Sequence, residues 1–227
     1  MPKISIIIPT INEAKNLPLL LSDLSIIQKE REIIIVDCGS EDKTIDVAKI
    51  YGAKVYRSKE KNRGLQLDIG AVNSKGEWLI FLHADTRLTH DWFRKINSVL
   101  KGDKNYIYYF KFKIHHKKMV FRVLEILVNL RCRFFKQPYG DQGLIIHKTN
   151  YFKNNGFRKI PLMEDVDFLR RLKNKKDLKQ LNLPIFISSR KWERTNIFLQ
   201  ALKNWNLRRR WLKGESIKSI YSDYYKK

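Results

Sequence analysis

The stretch ISIIIPTINEAKNLPLLLSDLSIIQKEREIIIVDCGS, Ile4 to Ser40, decides the fold class. Ile4 to Ile8 is a β-branched run that stops at Pro9, and Ile33 to Val36 is a second that stops at Asp37. Between them Leu17 to Leu24 is leucine-rich, so the stretch reads strand, helix, strand. Apolar runs without polar alternation belong to strands covered on both faces, as in parallel sheets.

The rhythm continues outward from there. Asp42 to Tyr51 reads as a helix, Ala53 to Arg57 as a short strand, Gln66 to Val72 as a helix and Trp78 to Leu82 as a strand. This predicts an α/β protein with a Rossmann-like, mainly parallel sheet flanked by helices, whose ligands sit where strands end. After residue 85 the pattern changes. Phe110, Phe112 and Ile114 alternate with Lys111 and Lys113, so Tyr106 to Ile114 reads as a half-buried strand, expected to be antiparallel on the acceptor side. A basic helix over Lys118 to Phe135, a strand over Gly143 to His147 and a helix over Glu164 to Leu172 follow. Asn196 to Lys227 reads as a basic helical C-terminal segment. With no internal repeat or low-complexity linker, residues 1–227 are expected to form one domain, divided at about residue 100 into halves 1–100 and 101–227.

Lysine and arginine total 46 against 23 acidic residues, giving +23 over 227 residues, a field that favours nucleic acid, anionic membrane or phosphorylated substrates. Much of it lies in solvated runs such as Lys173 to Lys176, so charge alone decides nothing. The two cysteines, Cys38 and Cys132, form no CxxC pair and fit a reducing compartment. The start of the chain reads as a first strand and not as a signal peptide. The longest apolar stretch, Met119 to Leu130, is interrupted by Arg122, Glu125 and Asn129 and falls short of the ~18 residues that span a bilayer. A cytoplasmic protein is expected.

Three expected strand ends carry polar groups into one crevice: Pro9-Thr10-Ile11-Asn12-Glu13, Asp37-Cys38-Gly39-Ser40 and His83-Ala84-Asp85-Thr86. Asp37 suits a hydrogen bond to a base or ribose, with Gly39 permitting the turn, though taken singly it better suits the cap of the next helix. Asp85 lies beyond an apolar strand, where a carboxylate can hold a hard cation bridging phosphates. His83, two residues earlier, would share its direction on an extended chain. Glu164 and Asp165 open a helix whose dipole alone would favour them.

The order of IIIPTINE, VDCGSEDKT, NRGLQLDIGA, FLHADT, GLIIHKTNYFKNNGF and MEDVDFLRRL resembles glycosyltransferase family 2 on the GT-A fold, over essentially the whole chain. Each motif is weak alone; their order and spacing carry the resemblance. HADT, PYGDQG and SRKWER look most like the small bacterial arsenosugar-type subgroup. The resemblance implies an inverting transfer from a nucleotide sugar to a hydroxyl. Pro9, Thr10, Asn12, Glu13, Asp37 and Gly39 would then line the nucleoside. Arg63 and Gln66 match donor-loop positions, with Arg63 expected on phosphate.

Asp165 matches the family's general base, with Glu164 beside it, and Asp85 matches the last aspartate of the metal-binding DxD element. His83 stands where that element's first carboxylate usually stands, which weakens the case for magnesium relative to manganese. Asp68 is a second departure, standing where asparagine is common. Trp192-Glu193-Arg194 suits an acceptor-side clamp. The helix Lys117 to Phe135 and the tail around Arg208, Arg209 and Arg210 would suit peripheral contact with an anionic membrane and a lipid-linked acceptor, a small-molecule acceptor being the alternative. No specific nucleic acid is expected, since no recognition motif accompanies the charge. A nucleotidyltransferase is the enzymatic rival; the absence of a glycine-rich phosphate loop after the first strand argues against it.

Overall fold

The computed structural model describes residues 3–26, 30–172, 174–188 and 197–226. Ile4, Ile6 and Ile8 of strand β1 (Ile4–Thr10) point to one face of the sheet, while Ile7 points to the other. Both faces are covered. The first packs against α1 (Leu17–Leu24), α2 (Thr44–Ile50) and α4 (Trp92–Leu100), and the second against α3 (Arg63–Val72) and α7 (Glu164–Arg171). This double coverage is why β1 and β2 (Arg31–Asp37) show no polar alternation.

The remaining strands are β3 (Lys54–Arg57), β4 (Trp78–Phe81), β5 (Thr86–Leu88), β6 (Ile107–Ile114), β7 (Leu144–His147) and β8 (Leu178–Ile187). They form one sheet in the order β3-β2-β1-β4-β7-β6-β8-β5. β1 pairs parallel with β2 and β4, and β2 with β3. β6 pairs antiparallel with β7, as expected of it, yet runs the same way as β1 because β7 is itself antiparallel to β4. The reversed strands are therefore β7 and β5, and β6 lies parallel to β8. Reversing β7 carries the loop before it, residues 138–143, to the sheet edge where β1, β2 and β4 end.

Three helices follow the sequence reading closely: α1, α5 (Met119–Phe135) and α7. α3 begins three residues before the expected Gln66 because Asn62 caps it, its side chain accepting from Leu65 N at 3.0 Å. β5, α4, α6 (Lys148–Lys153) and β8 are elements that the pattern did not reveal. The C-terminal segment is two helices, α8 (Ile197–Leu212) and α9 (Ile217–Tyr225). They bury Leu207 and Ile220 against Leu162, just before α7. Both cysteines are free and buried.

Beyond Tyr108, β6 no longer has β7 beside it, and α5 supplies the missing partners. The Asn129 side chain accepts from Phe112 N and donates to Phe112 O, both at 3.0 Å. Glu125 accepts from Ile114 N at 2.7 Å, and Arg122 donates to Ile114 O at 2.9 Å. The polar residues that interrupt the apolar run thus face the sheet, because an unpaired buried backbone group is costly.

Candidate active site

The loops after β1 and β2 are joined by hydrogen bonds. Asn12, held at φ 53°, donates its backbone N–H to Ser40 Oγ at 2.8 Å and accepts from Glu41 N at 2.8 Å. Glu13 N reaches Thr44 Oγ1 at 2.8 Å, and Ala14 N reaches Asp42 at 3.1 Å. Asp37, fully buried, accepts from Gly39 N (3.0 Å) and Ser40 N (2.9 Å) on one oxygen, and from the Thr10 (2.9 Å) and Ser40 hydroxyls on the other. That uses about four acceptor positions, the full capacity of a carboxylate. Asp37 therefore folds the Gly39 turn and does not cap α2. Gln66, also buried, donates to Thr10 O (3.1 Å) and Val36 O (2.7 Å), tying the ends of β1 and β2 together. Pro9, Thr10, Asn12, Glu13, Asp37, Gly39 and Gln66 are thus gathered along one wall.

A second group meets where β4 ends and β7 begins. His83, Gly140, Glu164 and Asp165 line a cavity of about 30 Å3 floored by Phe81, Leu82, Phe157 and Phe168. Asp165 accepts from Gly140 N at 2.6 Å through Oδ2 and from Val166 N at 2.7 Å through Oδ1. A Cβ on Gly140 would stand 3.2 Å from His83 Nε2 and 3.3 Å from Asp165 Oδ2, so the missing side chain is what lets imidazole and carboxylate converge. Residues 83–86 form a turn, with Thr86 N donating to His83 O at 3.2 Å. The alternation of an extended chain therefore does not apply to His83 and Asp85. Asp85 is half-buried at this turn.

Arg63 belongs to this second group. Its guanidinium grips Glu164 bidentately, Nη2 lying 3.1 Å from Oε2 with Nε on Oε1. Two of its nitrogens, Nε and Nη2, are thus engaged by Glu164. Burial pushes the Glu164 carboxyl up, to about 7, with Arg63 opposing and Asp165 adding to the rise. Burial pulls the Arg63 guanidinium down, but Glu164 and Asp165 outweigh this and hold it above its ordinary value. Met163, just before the pair, is left-handed at φ 65°.

Tyr139, which lines the cavity, has two guanidinium groups against its ring: Arg131 of α5 at 3.7 Å and Arg208 of α8 at 4.8 Å from its ring centre. No carboxylate among the described residues pairs with either arginine. Burial and the neighbouring Arg131 lower the Arg208 pKa. The sequence named Tyr139 only within PYGDQG and Arg208 only as tail charge; their meeting depends on the path of the chain. Trp192-Glu193-Arg194 lies outside the described residues. Asp68 forms an ion pair with Lys159 at 3.4 Å.

Among the described residues no three His, Cys, Asp or Glu side chains cluster to hold a metal ion. His83 and Asp85 supply two ligands at most. A hard cation, which takes about six, fits here only with oxygens of a bound diphosphate completing its shell.

The sequence profile described as Glycosyl transferase family 2 matches residues 5–166. The chain belongs to glycosyl transferase family 2. This family 2 chain is 38% identical over 95 residues to a 4,4'-diaponeurosporenoate glycosyltransferase of Staphylococcus haemolyticus, a match covering 39% of this chain and 25% of that protein. It is 32% identical over 191 residues to an uncharacterized glycosyltransferase of Haemophilus influenzae, covering 74% of this chain and 61% of that one. A cholesterol galactosyltransferase of Borreliella burgdorferi is 28% identical over 131 residues, covering 52% and 37%. The chain thus spans well under two thirds of the length of most of these relatives.

Among solved structures, S. aureus TarS 1-349 in complex with UDP-GlcNAc superposes with a TM-score of 0.65 at 16% identity, covering 82% of this chain and 58% of that one. Glucosyl-3-phosphoglycerate synthase from Mycobacterium tuberculosis, in complex with Mn2+, UDP and glucosyl-3-phosphoglycerate, does so at 0.59 and 17%, covering 81% and 70%. At such identities the likeness establishes the shared GT-A fold.

Proposed function

We propose that the protein transfers a sugar, with inversion, from a nucleotide sugar to a hydroxyl acceptor, with Asp165 as the general base. The observation that carries this reading is the Asp165 carboxylate, half-buried and oriented by two backbone N–H groups beside a cavity at the carboxyl ends of the strands. A fixed carboxylate is what such chemistry requires. An acceptor oxygen attacks the anomeric carbon, the bond from that carbon to the diphosphate oxygen breaks with its electron pair leaving on the diphosphate, and the acceptor proton passes to Asp165.

Glu164 positions Asp165 through the buried pair with Arg63. The wall formed by Pro9, Thr10, Asn12, Glu13 and Gly39 receives the nucleoside, with Asp37 and Gln66 setting its shape from behind. The first hundred residues hold the donor, and residues 101–227 hold the acceptor. A divalent cation, bound by Asp85 with His83 and the donor, would neutralise charge on the departing diphosphate.

Two solved structures on this fold contain UDP or UDP-GlcNAc, which makes a uridine nucleotide the first donor to test. Relatives named for a diaponeurosporenoate and for cholesterol support a lipid acceptor, with a small-molecule hydroxyl as the alternative. His83–Thr86 and Pro138–Gly143 support a place near the arsenosugar-type subgroup, without the substrate in its label. The test is release of nucleoside diphosphate from UDP-sugars. Wild type is expected to turn over and Asp165→Asn to fall about 10²- to 10⁴-fold while donor affinity stays within about threefold. Full activity in Asp165→Asn would remove the base assignment.

A further inference from the structure

α5 is built inside out. Its polar residues Glu125 and Asn129 turn inward to the free edge of β6, while Ile126, Leu127, Leu130 and Phe134 lie 59%, 55%, 43% and 71% exposed on the opposite side. At 100° per residue these four fall within one third of the helix circumference, opposite buried Phe121, Glu125 and Cys132. A surface helix of a soluble domain presents its polar side outward; this one presents its apolar side.

α8 also exposes apolar side chains. It buries Leu207 and leaves Leu202 and Trp205 59% and 48% exposed. The Tyr139 ring is contacted by Arg131 of α5 and by Arg208 of α8, so side chains of the two helices meet at one residue that lines the cavity beside Asp165. Basic residues border both stripes: exposed Arg133 on α5 with Lys117 and Lys118 just before its first turn, and Arg209 on α8, whose guanidinium lies 5.5 Å from the Trp205 ring centre. Among the described residues no helix is long and apolar enough to cross a membrane.

We propose that the outward faces of α5 and α8 form one surface that lies on an anionic lipid bilayer, its apolar residues entering the headgroup boundary and its basic rim meeting lipid phosphates. Charge complementarity selects this occupant. A second copy would set +23 against +23 and basic rim against basic rim, whereas an anionic leaflet offers both the apolar depth and the opposite charge. Because Tyr139 joins this surface to the cavity, a lipid-borne hydroxyl would reach Asp165 from the membrane side. This last step rests on the transferase reading; the surface itself does not.

The test is flotation of the full chain with vesicles of phosphatidylcholine alone and with roughly one third phosphatidylglycerol, at about 0.15 M and about 0.5 M salt. Binding is expected to need phosphatidylglycerol, to weaken but persist at the higher salt, and to fall about tenfold in Ile126→Ser/Leu130→Ser. These side chains are exposed, so that variant is expected to melt like wild type, and Arg133→Gln/Arg209→Gln supplies a second arm that lowers binding at the lower salt. Three results would overturn the proposal: no binding to the anionic vesicles, binding indifferent to Ile126→Ser/Leu130→Ser and abolished by salt, or a stable dimer in sedimentation that the same substitutions dissociate. UDP-sugar turnover is read separately, so failure of the transferase reading and failure of the membrane surface are distinguishable.

Discussion

Glu164 and Asp165 are neighbours with different tasks. Asp165 is half-buried and open to the cavity, whereas Glu164 is fully buried and held by Arg63. Removing Arg63 takes away both side-chain donors to the buried Glu164 carboxyl, so Arg63→Ala is expected to lower stability by about 1–3 kcal/mol in urea unfolding. The pH dependence has a definite sign. Glu164 rises from 4.5 to about 7 on folding, so its contribution is complete below 4.5 and fades as pH rises through 7. Glu164→Gln is expected to remove that decline from a pH series of melting curves; a series unchanged by the substitution would refute the assignment.

The carboxylate pair was legible from its motif. Arg63 as its partner was not, because the two lie 101 residues apart and only the docked loops bring them together. Asp37 was legible as a strand-end carboxylate, but not the four donors that saturate it.

At the scale of elements, the N-terminus of α3 touches the chain that leads to α7. Gly64 N donates to Ile160 O at 3.1 Å, and Asn62 donates to Lys159 O at 2.9 Å. A Cβ on Gly64 would stand 2.0 Å from Arg158 O, a backbone atom that cannot rotate away. Gly64→Ala is therefore expected to displace α3 from residues 158–160, disturb the Arg63–Glu164 pair and lower the melting temperature by several degrees. A variant as stable and active as wild type would contradict this docking.

Asn129→Leu is expected to cost about 1–3 kcal/mol, since it leaves Phe112 N and O unpaired at the edge of β6. Double coverage made β1 and β2 readable as apolar runs, and length made α5 readable. β8 hid behind Lys179, Gln180, Asn182 and Pro184, whose strand character depends on pairing with β6 across a register shift near Tyr109. The direction of β7 follows from topology and has no local signature.

At the scale of the whole molecule, one sheet edge carries a wall tied by Asp37 and Gln66 and, beside it, a cavity with Asp165 at its rim. The reversed strand β7 places the two side by side. The most direct test of this arrangement as a nucleotide-sugar site is a thermal-shift panel of UDP-, GDP-, dTDP- and ADP-sugars, with and without manganese, on wild type and Asp85→Ala. A ligand at 100 times its Kd stabilises by about 2.7 kcal/mol, a shift of several degrees. The account predicts that one nucleotide raises the melting temperature, that manganese increases the shift, and that Asp85→Ala abolishes the manganese increment. No shift with any nucleotide sugar in wild type, with manganese present, would contradict it.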